Sequence, residues 1–162
     1  MHNHSPLADF SSVIAILSKI SFLGGVSDAQ RDTLFRYFET AHFAKGEYVA
    51  RRGETPSHIY IIQSGRINLL IESNGASVIK REFCVGDCFG EAAFLSLINN
   101  TASFVAAEDC DLIVLSRNAL NQLRKEDPDL FCILILNLAR ELARKLQYTD
   151  EMLIHLDSGG TL

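Results

Sequence analysis

The sequence predicts an α+β, mainly β fold: a sandwich or jelly roll, with helices before it and one long helix after it. Three observations carry this. Ile59, Ile61, Ile67, Leu69 and Ile71 alternate with other residues, the period of half-buried strands. Glycine turns punctuate the strands at Lys45-Gly46-Glu47, Arg52-Gly53-Glu54, Gln63-Ser64-Gly65 and Asn74-Gly75. After Asp127-Pro128 neither Gly nor Pro occurs before Gly159. That leaves room for a helix of about 29 residues, roughly 43 Å long at 1.5 Å per residue.

Taken in order, Leu7 to Ile20 reads as a helix with Val13, Ile16, Leu17 and Ile20 on one face. Gly24-Gly25 breaks it. Ser27 caps a second helix from Asp28 to about Phe38, with Leu34, Phe35 and Phe38 inward. Phe43 to Val49 is strand-like around Gly46, and Ser57 to Glu72 holds two strands around Gly65. Ser73-Asn74-Gly75-Ala76 is a hairpin turn, because Asn-Gly supplies the two positive φ angles of a type I′ turn. Val78 to Phe83 returns. Cys110 to Ser116 is the last strand, with Leu112 and Val114 on one face and Ile113 and Leu115 on the other. Asn118 to Lys125 is a short helix. Asp127 then caps the long helix, and Pro128 opens it. It runs to about Leu156, before a short polar tail. The organisation expected is therefore 1–126, helices plus β domain, and 127–162, long helix and tail.

A helix of that length outruns one small domain. Ile135, Leu138 and Leu142 mark a heptad-like seam that Met152 and Leu156 resume, with Lys145 and Thr149 interrupting it. The seam packs either on its own domain or along a second copy.

The chemistry concentrates in Gly86 to Ala106, GDCFGEAAFLSLINNTASFVA. Phe89-Gly90-Glu91 leads into a short apolar run that starts a helical turn. Gly90 lets a backbone come close to a ligand. The N–H groups of Gly90 to Ala92 suit a phosphate or carboxylate. Glu91 can accept hydrogen bonds from sugar hydroxyls. Asn99-Asn100-Thr101 is turn-like, and Ala102 to Val105 is strand-like.

FGEAAFL followed by NTASFVA resembles the phosphate-binding cassette of the cyclic-nucleotide-binding family, to which the catabolite activator protein and the regulatory subunits of cyclic-nucleotide-dependent kinases belong. GETPSHIYIIQSGRI, from Gly53 to Ile67, resembles the family's barrel pattern, and ARKLQYTDEM, from Ala143 to Met152, its long helix. The resemblance runs from about residue 15 to 156. It implies a β-barrel of jelly-roll type with a dimerisation helix. It also implies Glu91 on the ribose 2′-hydroxyl, Phe89, Gly90 and Ala92 in the same cassette, Thr101 beside the phosphate, and Thr149 with Asp150 on the base. The family's phosphate-binding Arg falls on Asn100, and no Lys or Arg lies between Arg81 and Arg117. Such activators continue into a DNA-reading domain where this resemblance ends.

The function implied is a ligand-sensing regulatory module that binds a cyclic nucleotide (cAMP or cGMP) or a related small effector and signals through a homodimer helix. A degenerate module that binds nothing and acts through contacts with an unknown protein partner stays open beside it. Composition narrows the rest. The chain is 162 residues long, 48% hydrophobic, and carries 15 Lys plus Arg against 20 Asp plus Glu, for a net charge of −5. An acidic chain without a basic cluster is a poor direct DNA binder. No run reaches the ~18 apolar residues of a membrane span, and MHNHSPLADF lacks the pattern of a signal peptide. Both favour the cytoplasm. A jelly-roll enzyme needs clustered metal ligands. The histidines at 2, 4, 42, 58 and 155 show no such pattern, so neither catalytic nor metal residues are expected. Cys84, Cys88, Cys110 and Cys132 match no zinc spacing and read as small, buried or half-buried thiols.

Overall fold

The computed structural model describes residues 4–8, 10–16, 19–73 and 75–157. In chain order these form β1 Ser5–Pro6, α1 Phe10–Ile16, a 3-10 turn at Ser21–Leu23, α2 Asp28–Phe35, β2 Phe38–Phe43, β3 Tyr48–Ala50, β4 His58–Ser64, β5 Ile67–Ser73, β6 Ala76–Phe83, β7 Cys88–Phe89, α3 Glu91–Ser96, β8 Ser103–Ala106, β9 Cys110–Ser116, α4 Arg117–Glu126 and α5 Pro128–Asp157.

Two antiparallel sheets result, one in the order β1-β2-β9-β4-β7 and one in the order β3-β8-β5-β6. The two sheets form a jelly-roll sandwich, and among the described residues no ladder closes them into a barrel. β9 is the reason the first sheet has two buried faces. Its Ile113 and Leu115 enter a core shared with α1, α2, α4 and α5. Its Leu112 and Val114 enter a second core between the sheets, with Phe43, Tyr60, Ile62, Phe83 and Phe89. Strict alternation in one strand thus feeds two cores.

Local signals account for most boundaries. Ser27 forms a capping box with Gln30: its Oγ accepts from the Gln30 N–H while Gln30 Oε1 accepts from the Ser27 N–H. Asp127 Oδ1 accepts from the Leu130 N–H at 2.9 Å, which starts α5 where Pro128 allows it. Asn74 lies outside the described residues, but the β5–β6 hairpin closes around it with Ser73 opposite Ala76, and Gly75 has φ 77°.

Three expectations need correction. The first helix is shorter, Phe10–Ile16, because Ser5–Pro6 pairs with β2 (Leu17 lies outside the described residues). The second helix stops at Phe35: Phe38 is buried, but as the first residue of β2 opposite Leu115. Two of the four thiols, Cys84 and Cys132, are exposed; Cys88 and Cys110 are buried.

The seam on α5 also falls differently. Leu130, Leu134 and Leu138 are fully buried in this chain's own core, with Ile135 packed at its margin. Leu138 is therefore a core residue. The large apolar residues that α5 leaves exposed, among the described ones, are Leu136, Leu146, Tyr148, Leu153 and Ile154; the side chain of Leu156 lies outside the described residues. Among the described residues no helix is long and apolar enough to cross a membrane.

Candidate functional site

Glu91 opens α3 and is 3% exposed. A buried carboxylate needs a partner, and α5 delivers it. Lys145 Nζ donates to Glu91 Oε1 at 2.5 Å and to the Cys88 carbonyl at 2.8 Å. Cys88 Sγ lies 4.0 Å from the other oxygen, Oε2. Burial pushes the Cys88 thiol well up, the Glu91 charge adds to this, and the Lys145 ammonium opposes it. Cys88 is thus a buried thiol held in its protonated form beside the ion pair.

Two more polar residues of α5 continue the attachment. Asn137 Nδ2 donates to the carbonyls of Phe22 at 3.0 Å and Gly24 at 2.7 Å, and Ser21 Oγ donates to Glu141 Oε2 at 2.9 Å. Residues 137, 141 and 145 are four apart, so they form one stripe along the helix. The stripe fastens α5 to the 3-10 turn at one end and to the cassette at the other.

Gly90 sits at φ 85°. A Cβ there would lie 3.1 Å from the His58 carbonyl and 3.4 Å from the Tyr60 ring. Close approach of the protein's own β4 is thus one reason for this glycine, alongside its left-handed backbone. α3 is anchored from below by Arg117, whose Nη2 donates to the Phe94 carbonyl at 2.7 Å while its guanidinium lies over the Phe94 ring.

A small cavity of about 90 Å³ opens beside Gly90. Val49, Ala50, Glu54, Thr55, Pro56, Ser57, His58, Tyr60, Phe89, Gly90, Asn100 and Phe104 line it. Asn100 is buried, and its main chain is clamped to the preceding turn: its N–H donates to the Glu54 carbonyl and its carbonyl accepts from the Gly53 N–H. Phe89 stacks between Tyr60 and Phe104, with ring centroids 5.1 Å and 4.8 Å away. Burial holds the Tyr60 hydroxyl protonated, its pKa pushed up to about 12, with the Glu54 charge adding to this. Burial, then the neighbouring His4, pushes His58 down to about 4, so its imidazole is neutral at pH 7. No Lys or Arg lines the cavity, and Glu54 is its one acidic residue.

The structure therefore brings Phe89, Gly90 and Asn100 to one cavity, and turns the Glu91 carboxylate away from it toward Lys145. Ala92 and Thr101 are exposed nearby and do not line it. Thr149 and Asp150 do not reach it within this chain. They are exposed on the far part of α5, and Thr149 Oγ1 donates to the Lys145 carbonyl of its own helix. Sequence reasoning recorded Lys145 only as an interruption of a seam. The signal that would have found it is its place on the same helical stripe as Asn137 and Glu141.

The cyclic nucleotide-binding domain profile matches residues 40–127. With the cassette and jelly roll in place, the chain belongs to the cyclic nucleotide-binding domain family. It is 30% identical over 118 residues to a cGMP-dependent protein kinase of Toxoplasma gondii, covering 72% of this chain and 12% of the kinase. It superposes on the catabolite activator protein of Thermus thermophilus with a TM-score of 0.74 and 27% identity, covering 85% of this chain and 63% of that one. It superposes on the regulatory subunit of a cAMP-independent protein kinase A from Trypanosoma brucei with a TM-score of 0.70 and 26% identity, covering 86% of this chain and 50% of that one. That subunit was a triple mutant bound to cAMP, with one threonine replaced by arginine. The chain spans less than two thirds of each of these proteins.

Lys145→Met should leave Glu91 buried without its cation, at a cost of about 3 kcal/mol, the low end for a broken buried pair because Lys145 is partly exposed. Glu91→Gln combined with Lys145→Met should recover most of that loss. Urea denaturation of the single and double variants measures it, and strictly additive losses would contradict a direct pair.

Proposed function

We propose that this chain is a ligand-sensing regulatory module of the cyclic-nucleotide-binding type, in which an effector at the cassette is read out by α5. The observation that carries this is the Lys145–Glu91 ion pair. The carboxylate that the family presents to its ligand and the helix that follows the domain share one contact. A ligand hydroxyl that takes Glu91 must displace Lys145. Binding then favours a released α5, and a released α5 favours binding by the same factor. Small-molecule pockets are typically ~300–1,000 Å³; the cavity here is about 90 Å³, so an effector of nucleotide size enters only after the walls of the cassette move apart.

Asn100 sets the expected affinity. A charge-assisted hydrogen bond is worth about 1.5–3 kcal/mol, or roughly 10- to 150-fold. Glu54 in the same wall adds repulsion for a phosphate. Wild-type protein should therefore bind cAMP or cGMP weakly or not detectably, and a less anionic effector suits this wall better. The Trypanosoma brucei subunit is in line with this direction: it belongs to a cAMP-independent protein kinase A, and a triple mutant that includes a threonine-to-arginine change holds cAMP.

A second reading is a module that binds no ligand and acts through protein contacts. Favouring it, Tyr60, Phe89 and Phe104 fill the space beside the cavity and Lys145 already occupies Glu91. Calorimetry separates the two. Asn100→Arg should raise affinity for cyclic nucleotide about tenfold or more, and adding Glu91→Ala should remove the gain. Tight wild-type binding would contradict the reading of Asn100. No binding by Asn100→Arg would put the second reading first.

Both readings use a homodimer. Leu136, Ala139, Ala143, Leu146 and Leu153 are all exposed and follow heptad spacing, with Asp150 between the last two. The motive for pairing is this unpartnered stripe. Light scattering should give twice the chain mass of 18.0 kDa, and Leu146→Glu should return it to the single mass. A monomeric wild type, or an unchanged dimer in the variant, would contradict the seam.

A further inference from the structure

The topology brings together two histidines 54 positions apart in the sequence. His4 precedes β1, and β1 is tied to β2 by Ser5 opposite Thr40, Pro6 opposite Glu39, and a hydrogen bond from the Leu7 N–H to the Phe38 carbonyl. This places His4 Nδ1 3.5 Å from Glu39 Oε2. The imidazole of His58, at the start of β4, lies edge-on to His4 with ring centroids 4.6 Å apart. One donor atom from each of His4, Glu39 and His58 lies within 4.8 Å of the other two.

We propose that His4, Glu39 and His58 form a binding site for a divalent metal ion of the zinc type. Two imidazoles and one carboxylate are a zinc ligand set that leaves a coordination position open. Donors about 2.0–2.2 Å from a tetrahedral ion are roughly 3.3–3.6 Å from each other. His4 Nδ1 and Glu39 Oε2 already stand at that spacing, 3.5 Å apart, and a donor atom of His58 lies within 4.8 Å of both residues' donors. The outer contacts suit the role. Ser57 Oγ sits 2.7 Å from His58 Nδ1, which fixes that nitrogen and leaves Nε2 as the ligand atom. All three residues are partly buried, so each is restrained yet open to an incoming ion.

The site has a structural consequence. β1 is only two residues long, and the ion would staple it to β2 and β4. Since His58 lines the cavity, the staple also adds net positive charge beside a wall whose acidic residue is Glu54. This inference is independent of which reading of the cassette holds.

The test uses the full chain, stripped with chelator and titrated with Zn(II) by calorimetry and with Co(II) by visible absorption. Wild type should bind one ion per chain, show the intense bands of low-coordinate Co(II), and unfold at higher temperature with Zn(II) present. His4→Gln, Glu39→Gln and His58→Gln should each weaken binding by at least about tenfold, since even outer-contact losses cost that much. His42→Gln, at the separate His42–Asp111 pair, should change nothing. Absence of binding by wild type overturns the proposal, as does equal binding by His4→Gln and Glu39→Gln. Those two positions lie at the rim of the sheet and keep the test decisive should His58→Gln fail to fold.

Discussion

One buried carboxylate constrains this molecule. Glu91 is placed inside by the left-handed turn at Gly90 and the short helix it starts. There it cannot stand alone, because an unpaired buried charge is costly. Besides the Cys88 thiol, the partner it has among the described residues is an ammonium that arrives from a helix more than fifty residues later. α5 and the cassette therefore share one ion pair, which in the proposed function couples the position of the helix to the state of the cassette. Asn137 and Glu141, on the same helical stripe, set the helix at the depth where Lys145 reaches. Leu130, Leu134 and Leu138 hold its first half in the core. The polar stripe and the apolar stripe leave the far half of α5 with its remaining apolar residues facing outward.

Two consequences follow for function. The first half of α5 is fixed by burial, and Lys145 ties the half beyond Glu141 to the cassette. In the function proposed above, that tie is the element on which a ligand would act. The second concerns selectivity. In the cavity wall Asn100 offers a neutral amide and Glu54 a carboxylate, while Arg117, a cation close to the segment in sequence, is engaged under α3. The jelly roll and the cassette turn are present, while the position of the family's phosphate-binding Arg holds Asn100. On the proposed function, this wall disfavours anions by electrostatics, and competition for Glu91 couples the ligand to α5.

Much of the fold was legible in the sequence because it rests on local rules. The cap at Ser27, the Asp127-Pro128 start, the turn before Gly75 and the alternation in Cys110–Ser116 each depend on a few adjacent residues. The errors lie where distant chain decided. Phe38 has helical spacing with Leu34 and Phe35, but pairing with Leu115 makes it a strand residue. Leu138 fits a heptad seam, but the core of its own chain takes it. The cassette was legible as a motif through Gly90, Glu91 and Asn100. The partner of Glu91 was not: the stripe of Asn137, Glu141 and Lys145 marks a polar face of α5, but not which part of the chain that face meets. His4, Glu39 and His58 are joined only by strand order, and a spacing rule cannot see that.

The central claim is that Lys145 makes the cassette and the outer half of α5 one unit. Amide hydrogen exchange on wild type and Lys145→Met tests it most directly. The account predicts that Glu91–Ser96 and residues 141–157 both exchange faster in the variant, and by similar factors, while β4 and β9 stay as protected as in wild type. Faster exchange in α5 with Glu91–Ser96 unchanged, or no change in either, would contradict it.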